Sequence, residues 1–123
     1  MDEKTKEALI DAGVDLTTAL HRFLEMEPMY VSFLKRYVED ESVAQIGSGI
    51  ENRDAEMAFK AAHSLKGLAG NLGIDKVYNL AGQITEIFRD GTASESDISQ
   101  ASELYEALKK EDSMISELIS QIP

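Results

Sequence analysis

The segment from Asp54 to Leu72 carries the most regular apolar pattern of the chain, and this pattern limits the possible folds. Counted at about 100° per residue, most of its apolar side chains fall within about 60° of Leu65. The members of this stripe are Ala58, Ala61, Ala62, Leu65, Leu68, Ala69 and Leu72. A single stripe predicts an amphipathic helix that is buried along one face. Because the chain has only 2 prolines and no tryptophan, and is rich in helix-favouring residues, we expect an all-α protein.

Apolar spacing and capping residues predict a helical arm over about residues 2–25, followed by four longer helices. The arm is interrupted at Gly13, after which Asp15 can cap its second half. The four longer helices are expected at about residues 28–52, 54–72, 75–89 and 96–121. Gly47 and Gly49 weaken the second half of the first of these. That segment fits one long helix or two nearly collinear ones, and we favour one.

The boundaries of the two middle helices predict a tight antiparallel hairpin. Asp54 is a suitable N-cap, Gly73 a suitable C-cap, and Asp75 a suitable N-cap for the next helix. With 123 residues, no repeats and no low-complexity tract, the chain has room for one domain. We therefore expect one domain over residues 1–123, an antiparallel four-helix bundle with an additional N-terminal helical arm.

The charge balance limits the class of partner. The chain has 23 acidic and 12 basic residues and a formal net charge of −11, which repels nucleic acid and anionic membranes. No apolar run approaches the roughly 20 residues that span a bilayer, and cysteine is absent. We therefore expect a cytoplasmic protein with protein partners, and no disulfide or thiolate metal site.

His63 lies on the side of the 54–72 helix opposite the apolar stripe. Lys60 and Lys66 lie about one turn away on either side, so two cations make an otherwise acidic surface locally attractive to a dianion. Each mid-helix glycine costs about 1 kcal/mol relative to alanine, and Gly67 and Gly70 share the histidine face. We interpret the two glycines as clearing space beside the imidazole for a macromolecular partner.

Each of these features also has a simpler explanation. A histidine on the polar face of a helix is usually only solvated, and we interpret His21 in that way. Paired glycines can serve close helix packing, and Phe59 can contact the N-terminal arm as well as a docking partner. A metal site would need three or four ligands, and acyl transfer a nucleophile with a pocket. An exposed imidazole that is partly neutral at cellular pH needs only correct positioning to accept a phosphoryl group.

The run Ala62-His63-Ser64-Leu65-Lys66-Gly67, continued by Gly70, Leu72 and Gly73, resembles the signature of histidine-containing phosphotransfer (HPt) domains of two-component phosphorelays. The resemblance extends upstream through Gly13-Val14, Ala19-Leu20, Arg22-Phe23, Tyr30 and Leu34. It covers about residues 13–91, and the last helix matches only in kind.

The resemblance implies a role for several matching residues. His63 would be the phosphoacceptor, Lys66 would neutralise the phosphoryl oxygens with Lys60 nearby, and Gly67 would leave space for a receiver domain. Many HPt domains orient the histidine with a glutamine on the following helix, where this chain has Thr85. The Thr85 hydroxyl can accept the ring N–H, but threonine is shorter than glutamine, so Gln83 or a water could substitute. Further docking residues on this face would be Phe59, Ser64, Gly70 and Asn71.

The resemblance implies a phosphorelay intermediate that takes a phosphoryl group from a receiver aspartate and passes it to another receiver. Its partners would be response-regulator receiver domains and a sensor or hybrid histidine kinase. Mg²⁺ would belong to the receiver, so no cofactor or metal is expected here, and no ATP-binding motif indicates kinase activity.

We expect a monomer, either free-standing or one piece of a hybrid kinase. The alternatives are a binding module that moves no phosphate and a ligand-binding or metal-binding bundle, which the shortage of convergent ligands disfavours.

Overall fold

The computed structural model describes all residues from 1 to 123 and contains seven helices. In chain order they are α1 (Glu3–Asp11), α2 (Leu16–Arg22), α3 (Glu27–Glu39), α4 (Ser42–Glu51), α5 (Ala55–Leu72), α6 (Asp75–Ile87) and α7 (Glu95–Ser120). The only β-type pairing is an isolated bridge between Val14 and Ile74. The prediction of an all-α bundle with an N-terminal helical arm is confirmed.

The arm consists of α1 and α2, each of which begins at an aspartate cap. The Asp2 carboxylate accepts from the Thr5 N–H at 2.7 Å, and the Asp15 carboxylate accepts from the Thr18 N–H at 3.2 Å. The Asp15 N–H in turn donates to the Gly73 carbonyl at 2.9 Å. This bond, together with the Val14 bridge, ties the arm to the turn between α5 and α6.

The prediction of one continuous helix over residues 28–52 is wrong. The helix stops at Glu39 because Asp40 adopts an extended backbone, with φ −68° and ψ 140°. Its carboxylate accepts from the Ser42 N–H at 2.9 Å, a local bond that competes with helix continuation. A Cβ at Gly47 would overlap the Tyr105 hydroxyl, and one at Gly49 would lie 2.7 Å from the Ala58 nitrogen. The two glycines therefore permit close packing of α4 against α7 and α5.

The α5–α6 hairpin forms as predicted. Asp54 caps α5 by accepting from the Met57 N–H at 3.1 Å. Gly73 ends the helix in the left-handed conformation, with φ +76°, and the Ile74 N–H donates to the Ala69 carbonyl at 2.9 Å. Asp75 was expected to cap α6 but is its first residue, because the buried Ile74 already occupies the N-cap position. In that first turn its charge still complements the helix dipole.

Helices α4 to α7 pack as the four-helix bundle, and α3 lies against α5 and α7. A Ser94–Asp97 capping box starts α7. The apolar stripe of α5 is buried, except for Leu68, which is half-buried. The opposite face of this helix therefore faces solvent. The apolar seam of α7 is likewise buried at Ala101, Leu108, Ile115 and Ile119, and Ile122, just after the helix, is buried as well.

Candidate functional site

The His63 side chain is exposed near the middle of α5, on the face opposite the buried stripe, as the angular count predicted. Thr85, a possible orienting residue, forms no hydrogen bond with the imidazole. The Thr85 hydroxyl is fully buried and donates to the Ala81 carbonyl at 2.7 Å, within its own helix. The Gln83 amide, the other candidate, donates to the Asn79 carbonyl at 3.4 Å. Neither side chain is hydrogen-bonded to the imidazole.

Phe59 lies directly against His63. The two rings are parallel to within 3°, and their centroids are 5.8 Å apart. Phe59 is half-buried and packs on the core, and the Arg89 guanidinium carbon lies 5.6 Å from its ring centroid. Arg89 is not among the predicted site residues, although its spacing of three residues from Glu86 near the end of α6 is a visible signal for an ion pair.

The two lysines that flank His63 differ in their surroundings. The Lys60 ammonium pairs with the Glu56 carboxylate at 2.7 Å, which raises the pKa of Lys60. Lys66 is half-buried and forms no ion pair within the chain. Its Nζ lies 5.6 Å from the Tyr78 ring centroid, and its Cε would lie 3.5 Å from a Cβ at Gly82. The charge of Lys66 is therefore available to a phosphoryl group, whereas that of Lys60 is locally balanced.

The two glycines of the histidine face also differ. A Cβ at Gly67 would meet nothing within 4 Å, so this position is open. A Cβ at Gly70 would lie 2.9 Å from Cδ2 of Tyr78, and the Arg22 guanidinium donates to the Gly70 carbonyl at 2.6 Å. The position beside His63 is therefore open at Gly67, whereas at the half-buried Gly70 the Tyr78 ring occupies the space that a side chain would need.

The remaining predicted docking residues lie in shallow depressions near this face. One depression contains the exposed Asn71 and two cationic side chains; it is lined by Arg22, Lys66, Gly67, Gly70, Asn71, Asp75 and Tyr78. Another is lined partly by Lys60 and Ser64. No group of three or more His, Cys, Asp or Glu side chains is arranged to hold a metal ion. None of the seven helices combines the length and apolarity required to cross a membrane.

The family model for the Hpt domain matches residues 16–118, which include all of α2 to α6 and His63. The chain belongs to the Hpt domain family. This Hpt domain is a phosphotransfer module and acts as an intermediate in two-component phosphorelays. The predicted family is thus confirmed over more of the chain than the sequence resemblance covered.

A solved structure supports the fold of this Hpt domain. The HPt domain of a sensor hybrid histidine kinase from Shewanella superimposes with a TM-score of 0.72 at 19% sequence identity, covering 90% of this chain and 97% of that one. At this identity the likeness establishes the fold alone. None of the curated proteins matches the chain.

Proposed function

We propose that His63 is the phosphoacceptor of this Hpt domain, taking a phosphoryl group from one receiver aspartate and delivering it to another. The observation that carries the proposal is the exposed imidazole of His63 beside the open position of Gly67 and the unpaired ammonium of Lys66. His21, the second of the 2 histidines in the chain, lies on α2 beside Glu25 and has no comparable surroundings.

The reaction needs little from this chain beyond position and charge. A neutral imidazole nitrogen attacks the phosphorus of an aspartyl phosphate, a P–N bond forms, and the P–O bond to the aspartate breaks and leaves a carboxylate. Transfer to the second receiver reverses these bond changes. Lys66 balances the charge on the phosphoryl oxygens, and Gly67 lets the receiver approach. The Mg²⁺ ion required for the chemistry is held by the receiver.

The partners follow from the same chemistry. Receiver domains of response regulators donate and accept the phosphoryl group, and a sensor or hybrid histidine kinase supplies it to the relay. The protein acts in the cytoplasm as a monomer, without kinase activity of its own. The net charge of −11 favours protein partners over nucleic acid and anionic lipid.

Incubation with a phosphorylated receiver tests the proposal. The wild-type chain should gain an acid-labile, alkali-stable phosphoryl group as the receiver loses its own. His63→Gln should gain none, and His21→Gln, the matched control, should behave as wild type. Labelling that persists in His63→Gln would refute the assignment. A receiver that binds tightly but transfers nothing would instead favour a binding module that moves no phosphate.

A further inference from the structure

We infer that Phe59 is a positioning residue that sets the ring plane of His63, the task that Thr85 does not perform. The inference rests on the proposed function, since it concerns how the phosphoacceptor is oriented. It also gives Phe59 a role distinct from the partner docking expected for an aromatic side chain on this face.

The geometry of the two rings carries the first step. Phe59 and His63 are one turn apart on α5, with ring planes within 3° and centroids 5.8 Å apart. This separation lies in the range of offset-stacked aromatic pairs. Rotation of an imidazole about its Cβ–Cγ bond has only broad intrinsic preferences, so an exposed ring without a hydrogen-bond partner takes its plane from its neighbours. Phe59 is the aromatic neighbour of His63 in this structure.

Phe59 is itself held in place from α6. The Arg89 guanidinium carbon lies 5.6 Å from the Phe59 ring centroid, within the reach of a cation–π contact. Glu86 fixes Arg89 through charge-assisted hydrogen bonds, the shortest from Nη2 to Oε1 at 2.6 Å and from Nε to Oε2 at 3.0 Å. Phe59 also packs against the hydrophobic core. A chain of contacts therefore runs from Glu86 through Arg89 and Phe59 to His63.

The orientation matters because phosphoryl transfer requires the attacking nitrogen to point in line at phosphorus. A stacked pair of this type favours one ring plane by roughly 2- to 10-fold over an unstacked ring. Phe59→Leu should therefore slow phosphorylation of His63 by about that factor. Phe59→Tyr, which keeps the aromatic plane, should restore the wild-type rate.

Two phosphodonors distinguish positioning from docking. Phosphoramidate is too small to use a docking surface, whereas a phosphorylated receiver uses one. A positioning residue predicts that Phe59→Leu lowers the rate with both donors by the same factor, as a fall in kcat with unchanged KM for the receiver. A rise in the receiver KM with an unchanged phosphoramidate rate would overturn the inference and return Phe59 to docking.

A matched control lies elsewhere in the chain. Phe33 is also half-buried and also has an arginine over its ring, with the Arg36 guanidinium carbon 4.9 Å from the centroid, but it belongs to α3. Phe33→Leu should leave phosphoramidate labelling of His63 unchanged. An equal loss in both variants would show a general effect of core loosening and overturn the positioning role.

A measurement on the wild-type chain makes the result independent of whether a variant folds. Nuclear Overhauser effects between the ring protons of Phe59 and His63 should be present, and their absence would overturn the inference. A wild-type chain that no receiver phosphorylates contradicts the proposed function. A wild-type chain that is phosphorylated no faster than Phe59→Leu contradicts only the role of Phe59.

Discussion

Lys66 lies one turn after His63 on α5, and its ammonium lies beside the Tyr78 ring, 5.6 Å from the ring centroid. On the other side of His63, Lys60 is paired with Glu56 at 2.7 Å. Two lysines that are equivalent on a helical projection therefore differ in the charge that each can offer a phosphoryl group. This asymmetry gives the first test of the site.

Lys66→Met should slow phosphotransfer more than Lys60→Met. Loss of a charge-assisted contact to the transferring group is worth about 1.5–3 kcal/mol, or roughly 10- to 150-fold in rate. Lys60→Met should change the rate by less than about twofold, because an exposed ion pair contributes little. Single-turnover transfer from a phosphorylated receiver measures both variants. Equal losses would show that the Glu56 pair does not withhold the charge of Lys60.

Gly67→Gln should slow transfer from a receiver without lowering the stability of the fold. The position is open, so the new side chain meets no protein atom but occupies the space that a receiver needs. Replacing a mid-helix glycine should also stabilise the helix by up to about 1 kcal/mol. Thermal unfolding and transfer kinetics measured together check this prediction. An unfolded variant, or transfer at the wild-type rate, would contradict it.

The contrast with Gly70 shows where sequence reasoning stops. Angular counting placed both glycines on the histidine face, since helical periodicity depends only on local geometry. It could not show that Tyr78, from α6, lies 2.9 Å from the Cβ that Gly70 lacks. Likewise, the Phe59–His63 face was predictable, but the approach of Arg89 depends on how the hairpin packs.

Local signals predicted the helix ends better than the helix breaks. Caps at Asp15, Asp54 and Gly73 are short-range features, and all three form as expected. At Asp40, a side-chain hydrogen bond from the Ser42 N–H replaces helix continuation. Apolar periodicity continues across this break, so the pattern alone favoured one helix over residues 28–52.

Arg53→Gly should stabilise the fold by up to about 1 kcal/mol. Arg53 has φ +52° at the end of α4, where its N–H bonds to the Ile50 carbonyl at 3.2 Å and the Asp54 N–H bonds to the Gly49 carbonyl at 2.8 Å. Gly73 ends α5 with the same bonding pattern, but without the strain of a Cβ.

Denaturant unfolding of Arg53→Gly tests this difference, with Arg53→Ala as the control that removes the side chain but retains Cβ. The alanine variant should gain little, because it keeps the left-handed strain. A larger gain for alanine than for glycine would indicate that the guanidinium, rather than the backbone, destabilises this turn.

Asp112→Asn should raise stability at neutral pH. Asp112 interrupts the apolar seam of α7; its burial raises the pKa of its carboxyl and nearby Asp40 adds to this, while the hydrogen bond from Tyr37 at 2.7 Å opposes it. Because the pKa is higher in the folded state, ionisation of Asp112 lowers stability as pH rises from its ordinary pKa of 3.8 through the raised value. The asparagine oxygen can still accept from Tyr37.

Urea unfolding at about pH 3 and about pH 7 measures this effect. The stability difference between Asp112→Asn and wild type should be larger at the higher pH, where the wild-type carboxylate is ionised. Tyr37→Phe, which leaves that carboxylate without its donor, should be destabilised most at the higher pH. A difference that is independent of pH would show that Asp112 titrates normally in the folded chain.

The most direct test of the phosphoacceptor assignment locates the phosphoryl group on the chain. After transfer from a phosphorylated receiver, peptides should be prepared under alkaline conditions and sequenced by mass spectrometry. Phosphohistidine is expected at His63, with none at His21 and none anywhere in His63→Gln. A phosphoryl group found at another residue, or an unmodified His63 in a chain that has received label, would contradict it.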